Sequence, residues 1–340
     1  MSFRRRELER SLAREEKRAT AKVNIVGVGG CGNNIISNLY RMKLPSFVRL
    51  IAVNTDAAVL RNAQADEKIL IGRFTHKGRG AQGVPELGRQ AMEEDVEQVL
   101  DVLDEGLDLF IGVAGLGGGT GTGGLPVLLR EVGLRYREAI KMAIVTLPLK
   151  EEGEERRRNA QFGLKEVLEA ADMTVVNAND LVLQKIRGGD ITYAFKVMDR
   201  RLGRAISAIV RMQDYSTGPG VINVDFSNFQ RLAFRSGLGF IGVGMGNTIL
   251  EAVEDALTDD FAQCDLTDAK GAIIYYEGRE LALDISQMRS ATDSLSRRYR
   301  IRTIFMGVRP SWELTNVRAS IVASSVSSRY VSDFLAELGL

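Results

Sequence analysis

The residues whose types and spacing best suit chemistry are glycines and threonines: Gly115 to Gly124 reads Gly-Leu-Gly-Gly-Gly-Thr-Gly-Thr-Gly-Gly, seven glycines in ten positions. The stretch sits between an apolar run, Leu109 to Val113, and a helix-like run that begins near Leu125. Glycine lets the backbone approach a ligand closely and turn through positive φ. A strand, this loop and a helix start therefore form a cradle of backbone N–H groups aimed at an anion. A flexible linker would carry serine and charge, and would not be clamped between a buried strand and a helix. The loop lacks the Gly-Lys-Ser/Thr ending of a P-loop, so it binds phosphate in another way.

A second glycine turn, Gly27-Val28-Gly29-Gly30-Cys31-Gly32-Asn33-Asn34, follows a strand-like Val23 to Val28 and leads into an apolar-periodic segment ending near Tyr40. Gly27, Gly29 and Gly32 satisfy the GxGxxG pattern. Leu50 to Val53 followed by Asn54-Thr55-Asp56 puts an acid about where a dinucleotide-binding enzyme holds ribose. An NAD-dependent Rossmann oxidoreductase is thus one expectation, although it leaves the richer second loop without a role. Two i,i+4 pairs complete the set. Glu152 and Arg156 lie near a helix start and, on spacing alone, read as a surface ion pair. Phe195 and Asp199 lie in a long helical segment, where an aromatic face and a carboxylate can meet one ligand. The single histidine, His76, sits in a loop rich in Gly, Lys and Arg and reads as a loop residue, so no metal site is expected.

A chain of 340 residues, 45% hydrophobic, is long enough for two domains with substantial cores. No apolar stretch reaches membrane-spanning length and Met1 to Ala21 has no signal-peptide hydrophobic region, so a cytoplasmic protein is expected. Cys31 and Cys264 fall in unlike contexts and read as small buried or half-buried thiols in a reducing compartment. A formal net charge of +1 excludes whole-protein electrostatics as a basis for nucleic-acid binding. Arg6, Arg10, Arg14 and Arg18 would stack four cations in one helical stripe, suited to an acidic protein face or an anionic lipid surface. A solvated extension is an equal expectation for the same residues.

Gly117-Gly118-Gly119-Thr120-Gly121-Thr122-Gly123 is similar to the signature loop of the tubulin/FtsZ family of GTP-binding filament proteins, and matching segments run from about Lys22 to Val326. The resemblance implies that this loop wraps the phosphates of GTP or GDP, with the Thr120 and Thr122 hydroxyls as donors and Mg2+ held through the phosphates. It implies that Gly29, Gly30, Cys31, Gly32 and Asn33 contact phosphates and sugar while Asn34 reaches towards the base. Asn33 stands where many relatives have a small residue. Gly80-Ala81 and Pro85-Glu86-Leu87-Gly88 are similar to the loop that closes over the terminal phosphate. Glu152 and Arg156 would hold the ribose and the phosphate side. Asn179, Phe195 and Asp199 would recognise guanine, whose N1–H and 2-amino group can both donate to a carboxylate while the ring stacks on Phe195. Arg200, Arg201 and Arg204 crowd the same helix, and one of them pairing with Asp199 would weaken that recognition.

Gly218-Pro219-Gly220 and the following Val221 to Asn228 are similar to the family's catalytic loop, which each subunit inserts into the nucleotide pocket of its neighbour. The usual pattern is Asn-x-Asp-x-x-acid; here Asn223 and Asp225 are followed by Asn228. An amide can hold a water but has no charge to draw its proton, a contribution of about 10²- to 10⁴-fold in rate. The expectation is a protein that associates with itself head to tail and hydrolyses GTP slowly, with Asp225 the acid that remains. Beta-tubulin resembles this arrangement. The alternative within the same class is a non-hydrolysing subunit that co-polymerises with another FtsZ-like protein.

The elements that must position these residues read as α/β. A charged extension (1–21) precedes a Rossmann-like doubly wound GTP-binding domain (22–190) and a long central helix (191–217). A smaller α+β C-terminal domain (218–326) carries the catalytic loop and an assembly surface, and a short tail follows (327–340). Val331, Phe334, Leu335 and Leu338 share one helical face of the tail, which is expected to dock on its own domain. FtsZ relatives usually continue into a linker and an anchor-recruiting peptide. Membrane attachment is therefore expected only through a partner or the arginine stripe.

Overall fold

The computed structural model describes residues 21–186, 190–214 and 220–337. The arginine stripe, Gly218-Pro219 and Leu338 lie outside the described residues. Six strands open the chain: β1 (Val23–Val28), β2 (Val48–Asn54), β3 (Glu67–Leu70), β4 (Leu109–Gly115), β5 (Ile140–Leu147) and β6 (Met173–Ala178). They pair in parallel in the order β3-β2-β1-β4-β5-β6. Their side chains are near-continuously apolar because helices cover both faces. The order reverses between β1 and β4, which opens a crevice at the C-terminal ends of those two strands.

The intervening helices are α1 (Gly29–Arg41), α2 (Ala57–Asn62), α3 (Pro85–Leu100), α4 (Thr120–Arg135), α5 (Glu154–Ala170) and α6 (Asn179–Lys185). Ile35 and Leu39 of α1 join the core on one face of the sheet, and Met92, Leu128 and Leu164 from α3, α4 and α5 fill the other. The 23-residue α7 (Ile191–Gln213) starts at Asp190, whose side chain accepts from Thr192 N. At about 34 Å it is long enough to bury its apolar stripe against both halves of the molecule. Met198, Leu202 and Ile209 share one core with Ile25 of β1 and with Ile273 and Val322 of the C-terminal half.

The C-terminal half holds α8 (Phe226–Ala233), β7 (Gly237–Gly246), α9 (Ile249–Thr258), β8 (Cys264–Asp265), β9 (Gly271–Gly278), α10 (Ile285–Tyr299), β10 (Ile304–Pro310) and β11 (Val317–Ser324). Its sheet runs β10-β9-β11-β7, with β11 antiparallel to both neighbours. Gly242, Gly244 and Gly246 alternate along β7 because α9 lies directly on them: a Cβ on Gly242 would stand 2.0 Å from the Ala256 carbonyl oxygen. Two residue pairs, Met173–Gly237 and Thr174–Leu238, join β6 to β7 and make one ten-stranded sheet.

The tail departs from expectation. β12 (Ser327–Ser328) pairs with β8, and α11 (Arg329–Ala336) then crosses to the first half of the chain. Val331 and Phe334 are buried in the core beneath α3, α4 and α5. The tail is therefore held to the C-terminal half at Ser327–Ser328, while its helix docks on the parallel-sheet half.

Candidate functional site

A cavity of about 460 Å³ opens where the order of the parallel strands reverses. Gly29, Gly30, Cys31 and Asn34 line it from α1, and Gly118, Gly119, Thr120 and Gly121 from the second glycine loop and the start of α4. Glu152, Arg156 and Asn179 supply one wall, and Phe195 with Asp199 another. Thus residues of the two glycine segments, the Glu152–Arg156 pair, Asn179 and the central helix converge, while those of Asn54–Asp56 and of the loop around Ala81 do not line the cavity.

The helices that meet here begin without side-chain caps. α1, α4 and α6 each start at or just after the end of a strand or glycine loop, with Val28, Gly119 and Ala178 as N-caps that make no side-chain hydrogen bond. α3 and α5 likewise start without a side-chain cap, at Val84 and Gly153, whereas α2, α7, α8, α9, α10 and α11 each have an Asp, Thr or Ser cap accepting a backbone N–H. The three helix ends at the cavity thus keep first-turn N–H groups and positive dipole ends for an anion. A Cβ on Gly30 or Gly118 would meet nothing within 4 Å, so both backbones face open space. Gly117, at φ 111°, makes the turn that sets Gly118 there.

Several residues expected at the ligand support the loops instead. The Asn33 side chain is buried, donates to the Gly27 and Val53 carbonyls and accepts from Asn54 Nδ2 at 2.7 Å. Thr122 Oγ1, also buried, accepts from Gly117 N, and is not a donor facing the cavity. A Cβ on Gly32 would strike the Val113 carbonyl oxygen at 2.4 Å, and one on Gly123 the Pro85 carbonyl oxygen at 1.9 Å. These glycines allow close packing. Ala81 is buried against Gly119, and neither it nor Gly117 lines the cavity. Thr120 does line it, with Oγ1 2.7 Å from Thr55 Oγ1.

The walls carry the charge. Glu152 pairs with Arg156 and also accepts from Leu149 N at 2.9 Å, so the surface ion pair and a place on the cavity wall coincide. Burial pushes the Asp199 carboxyl up to about 6. Among the described residues no cation pairs with it: Arg201 turns to the opposite side of α7 and pairs with Asp259 at 3.1 Å. Phe195 remains 37% exposed, which suits a stacking face and not a core residue. Burial pushes the Cys31 thiol up to about 11, so it stays protonated. Asp56, the acid required by the dinucleotide expectation, instead caps α2 by accepting from Ala58 N at 2.8 Å and Val59 N at 3.1 Å. It is not among the residues lining the cavity.

A profile of the Tubulin/FtsZ family, GTPase domain, matches residues 22–187. Cell division protein FtsZ 1 of Pyrococcus horikoshii is 33% identical over 330 residues, 96% of this chain and 86% of that protein. The chain belongs to the tubulin/FtsZ family. An empty FtsZ dimer from M. jannaschii superposes with a TM-score of 0.83 at 33% identity, covering 95% of this chain and 92% of that one. A GTPγS-bound protofilament of CetZ2 from Haloferax volcanii reaches 0.80 over 93% of this chain and 97% of that one; at 23% identity this is a likeness of fold.

In this FtsZ-family chain none of the described residues of the segment similar to the catalytic loop lines the cavity of its own chain. Ile222 pairs with Val308 of β10, which lays the segment against the C-terminal domain. Asp225 caps α8, its carboxylate accepting from Ser227 N at 2.8 Å, and Asn228 N donates to the Asp225 carbonyl at 3.0 Å. Asn223 precedes them, half-buried. Five cavity residues lie outside the set predicted from sequence: Gly115, Leu116 and Pro148, which border predicted residues or segments, and Thr146 and Met198. Thr146 is a polar residue near the C-terminal end of the otherwise apolar β5, and Met198 falls between Phe195 and Asp199; both were available signals. Among the described residues no helix is long and apolar enough to cross a membrane.

Proposed function

We propose that this FtsZ-family protein binds GTP and GDP in the cavity between β1 and β4, assembles head to tail into filaments in the cytoplasm, and turns GTP over slowly because Asn228 replaces an acid. The observation that carries the nucleotide reading is the convergence of three uncapped helix N-termini on a cavity whose opposite wall offers an aromatic face and a carboxylate. Phosphates take the N–H end, where partial positive charge is fixed in place. Glu152 and Arg156 take the sugar and phosphate side. Guanine stacks on Phe195 and donates N1–H and its 2-amino group to Asp199, with Asn179 beside it. Among the described residues no group of three or more His, Cys, Asp or Glu side chains is placed to hold a metal. Mg2+ would take its ligands from the phosphates and water.

Assembly is supported by the position of Asn223, Asp225 and Asn228 outside the cavity of their own chain, so that hydrolysis needs them from a neighbouring subunit. The test is the nucleotide content of the purified protein and its sedimentation with GTP. Bound GDP or GTP and a GTP-dependent pellet are expected; bound NAD, or a protein that stays in the supernatant with every guanine nucleotide, rejects the reading.

A further inference from the structure

The C-terminal helix α11 does not line the cavity, yet with Glu337 at its end it grips the neighbours of two residues that do, Asn179 and Arg156. Tyr330 donates its hydroxyl to Asp180 Oδ2 at 3.3 Å, and Asp180 Oδ1 accepts from Lys150 N at 3.0 Å. Asp180 follows Asn179, and Lys150 begins the 3-10 turn that ends on Glu152. The second grip is on α5. Arg157, next to Arg156, donates through Nε and Nη2 to the two carboxylate oxygens of Glu337, both at 2.8 Å. Gln161, one turn further on, donates to the Phe334 carbonyl at 2.8 Å. The Arg157 guanidinium also lies 4.8 Å from the centre of the Phe334 ring.

The two grips flank the wall formed by Glu152, Arg156 and Asn179. Burial and the adjacent Asp180 hold the Tyr330 hydroxyl well above the ordinary phenol range, so it stays a donor at physiological pH. Bidentate Arg–carboxylate pairing sets orientation as well as distance. A helix so held fixes where α6 and the Lys150–Glu152 turn begin.

We propose that α11 is a brace for the nucleotide wall, with Tyr330 and Glu337 as positioning residues, so that docking of the C-terminal helix and nucleotide occupancy stabilise each other. The proposal rests on the reading of the cavity as a guanine-nucleotide site. Coupling of this kind is reciprocal: whatever α11 adds to nucleotide affinity, the nucleotide must add to α11 docking.

The test measures both directions on the full chain. GDP is titrated into wild type, Tyr330→Phe, Glu337→Gln and the double variant, and backbone amide exchange over Val331–Ala336 is followed in wild type with and without GDP. The expected result is GDP affinity about 5- to 20-fold weaker in the double variant, with slower exchange of the α11 amides when GDP is bound. Unchanged GDP affinity in the variants, or α11 exchange indifferent to GDP in a wild type that binds it, overturns the brace. Reduced thermal stability without either change assigns the helix a structural role only and also overturns it. A wild type that binds no guanine nucleotide rejects the functional reading itself, and the brace with it.

Discussion

Thr122 Oγ1 accepts the backbone N–H of Gly117 at 2.8 Å, so the first turn of α4 holds the entry to its own glycine loop. A loop so rich in glycine would otherwise lose much conformational entropy on ordering. Thr122→Val keeps the shape and leaves that buried N–H unpaired, at a cost of about 1–3 kcal/mol. Denaturant unfolding and GDP titration should both show the loss, and Thr122→Ser should restore both. A valine variant equal to wild type in GDP affinity would show that the loop needs no such tie.

Gly123 meets α3 with no room for a side chain, since an added Cβ would stand 1.9 Å from the Pro85 carbonyl oxygen and 2.6 Å from Arg89 N. Gly123→Ala must push α3 away from α4. Overpacking of this kind costs about 1–3 kcal/mol, to be read as a lowered denaturation midpoint with an unchanged m-value.

Asp199 links the site to pH. Its carboxyl, raised by burial from 3.8 to about 6, binds its proton more tightly in the folded than in the unfolded chain. Its contribution to stability is level below the unfolded value, falls as pH rises through the window from 3.8 to about 6, and is level again above it. Asp199→Asn should therefore stabilise the unliganded protein at neutral pH and not at the acid end of that window. Guanine calls for the ionised form, so GDP affinity should be level at neutral pH and fall below the folded value, approaching about tenfold per pH unit. Calorimetric titration across that range checks the slope, and Asp199→Asn should abolish it.

Asn228→Asp restores the acid of the family pattern. GTP turnover in the pelleting assay should rise by about 10² to 10⁴ while GDP affinity stays unchanged, because the residue lies outside its own cavity. Brisk turnover by wild type on assembly would show that Asp225 or another group supplies the chemistry.

Arg201 ties α7 to the C-terminal half: it donates to Asp259 Oδ1 at 3.1 Å, to the Asp259 carbonyl at 2.7 Å and to the Ile241 carbonyl at 2.9 Å. Burial lowers its pKa and the Asp259 charge opposes that shift. Arg201→Met strands Asp259 without its cation and should cost about 3–5 kcal/mol in denaturant unfolding. Arg204→Met, on an exposed part of the same helix, should cost little by comparison.

The strands, the two glycine turns and the pairing of Phe195 with Asp199 were legible in the sequence because each depends on spacing within one element. An apolar run bounded by glycines gives a buried strand and its exit, and four residues on a helix give one face. The Glu152–Arg156 ion pair was legible from spacing, but its place on the wall came only from the family resemblance, since Glu152 ends the 3-10 turn and Arg156 lies in α5 beyond Gly153. The direction in which a turn residue points was not. Asn33 and Asn34 are adjacent, yet Asn33 faces the Val53 carbonyl of the next strand while Asn34 faces the cavity. Arg200 and Arg201 are likewise equivalent on paper, and only the packing of α7 against Asp259 separates them.

The sequence by itself determined the parallel-sheet half, the glycine turns and the long helix, since these follow from residue type and local periodicity, while the reading of Asn228 as a replaced acid came from the family resemblance. The tertiary structure decided which loop residues line the cavity and which hold the loop, as with Thr122 and Gly123. It also decided that the tail crosses to the other half of the molecule. That crossing rests on Val331 and Phe334 entering the core of the first half and on the pairing of Arg157 with Glu337, contacts between residues distant in sequence. Such contacts arise from the packing of whole elements, and no local pattern in the sequence encodes them.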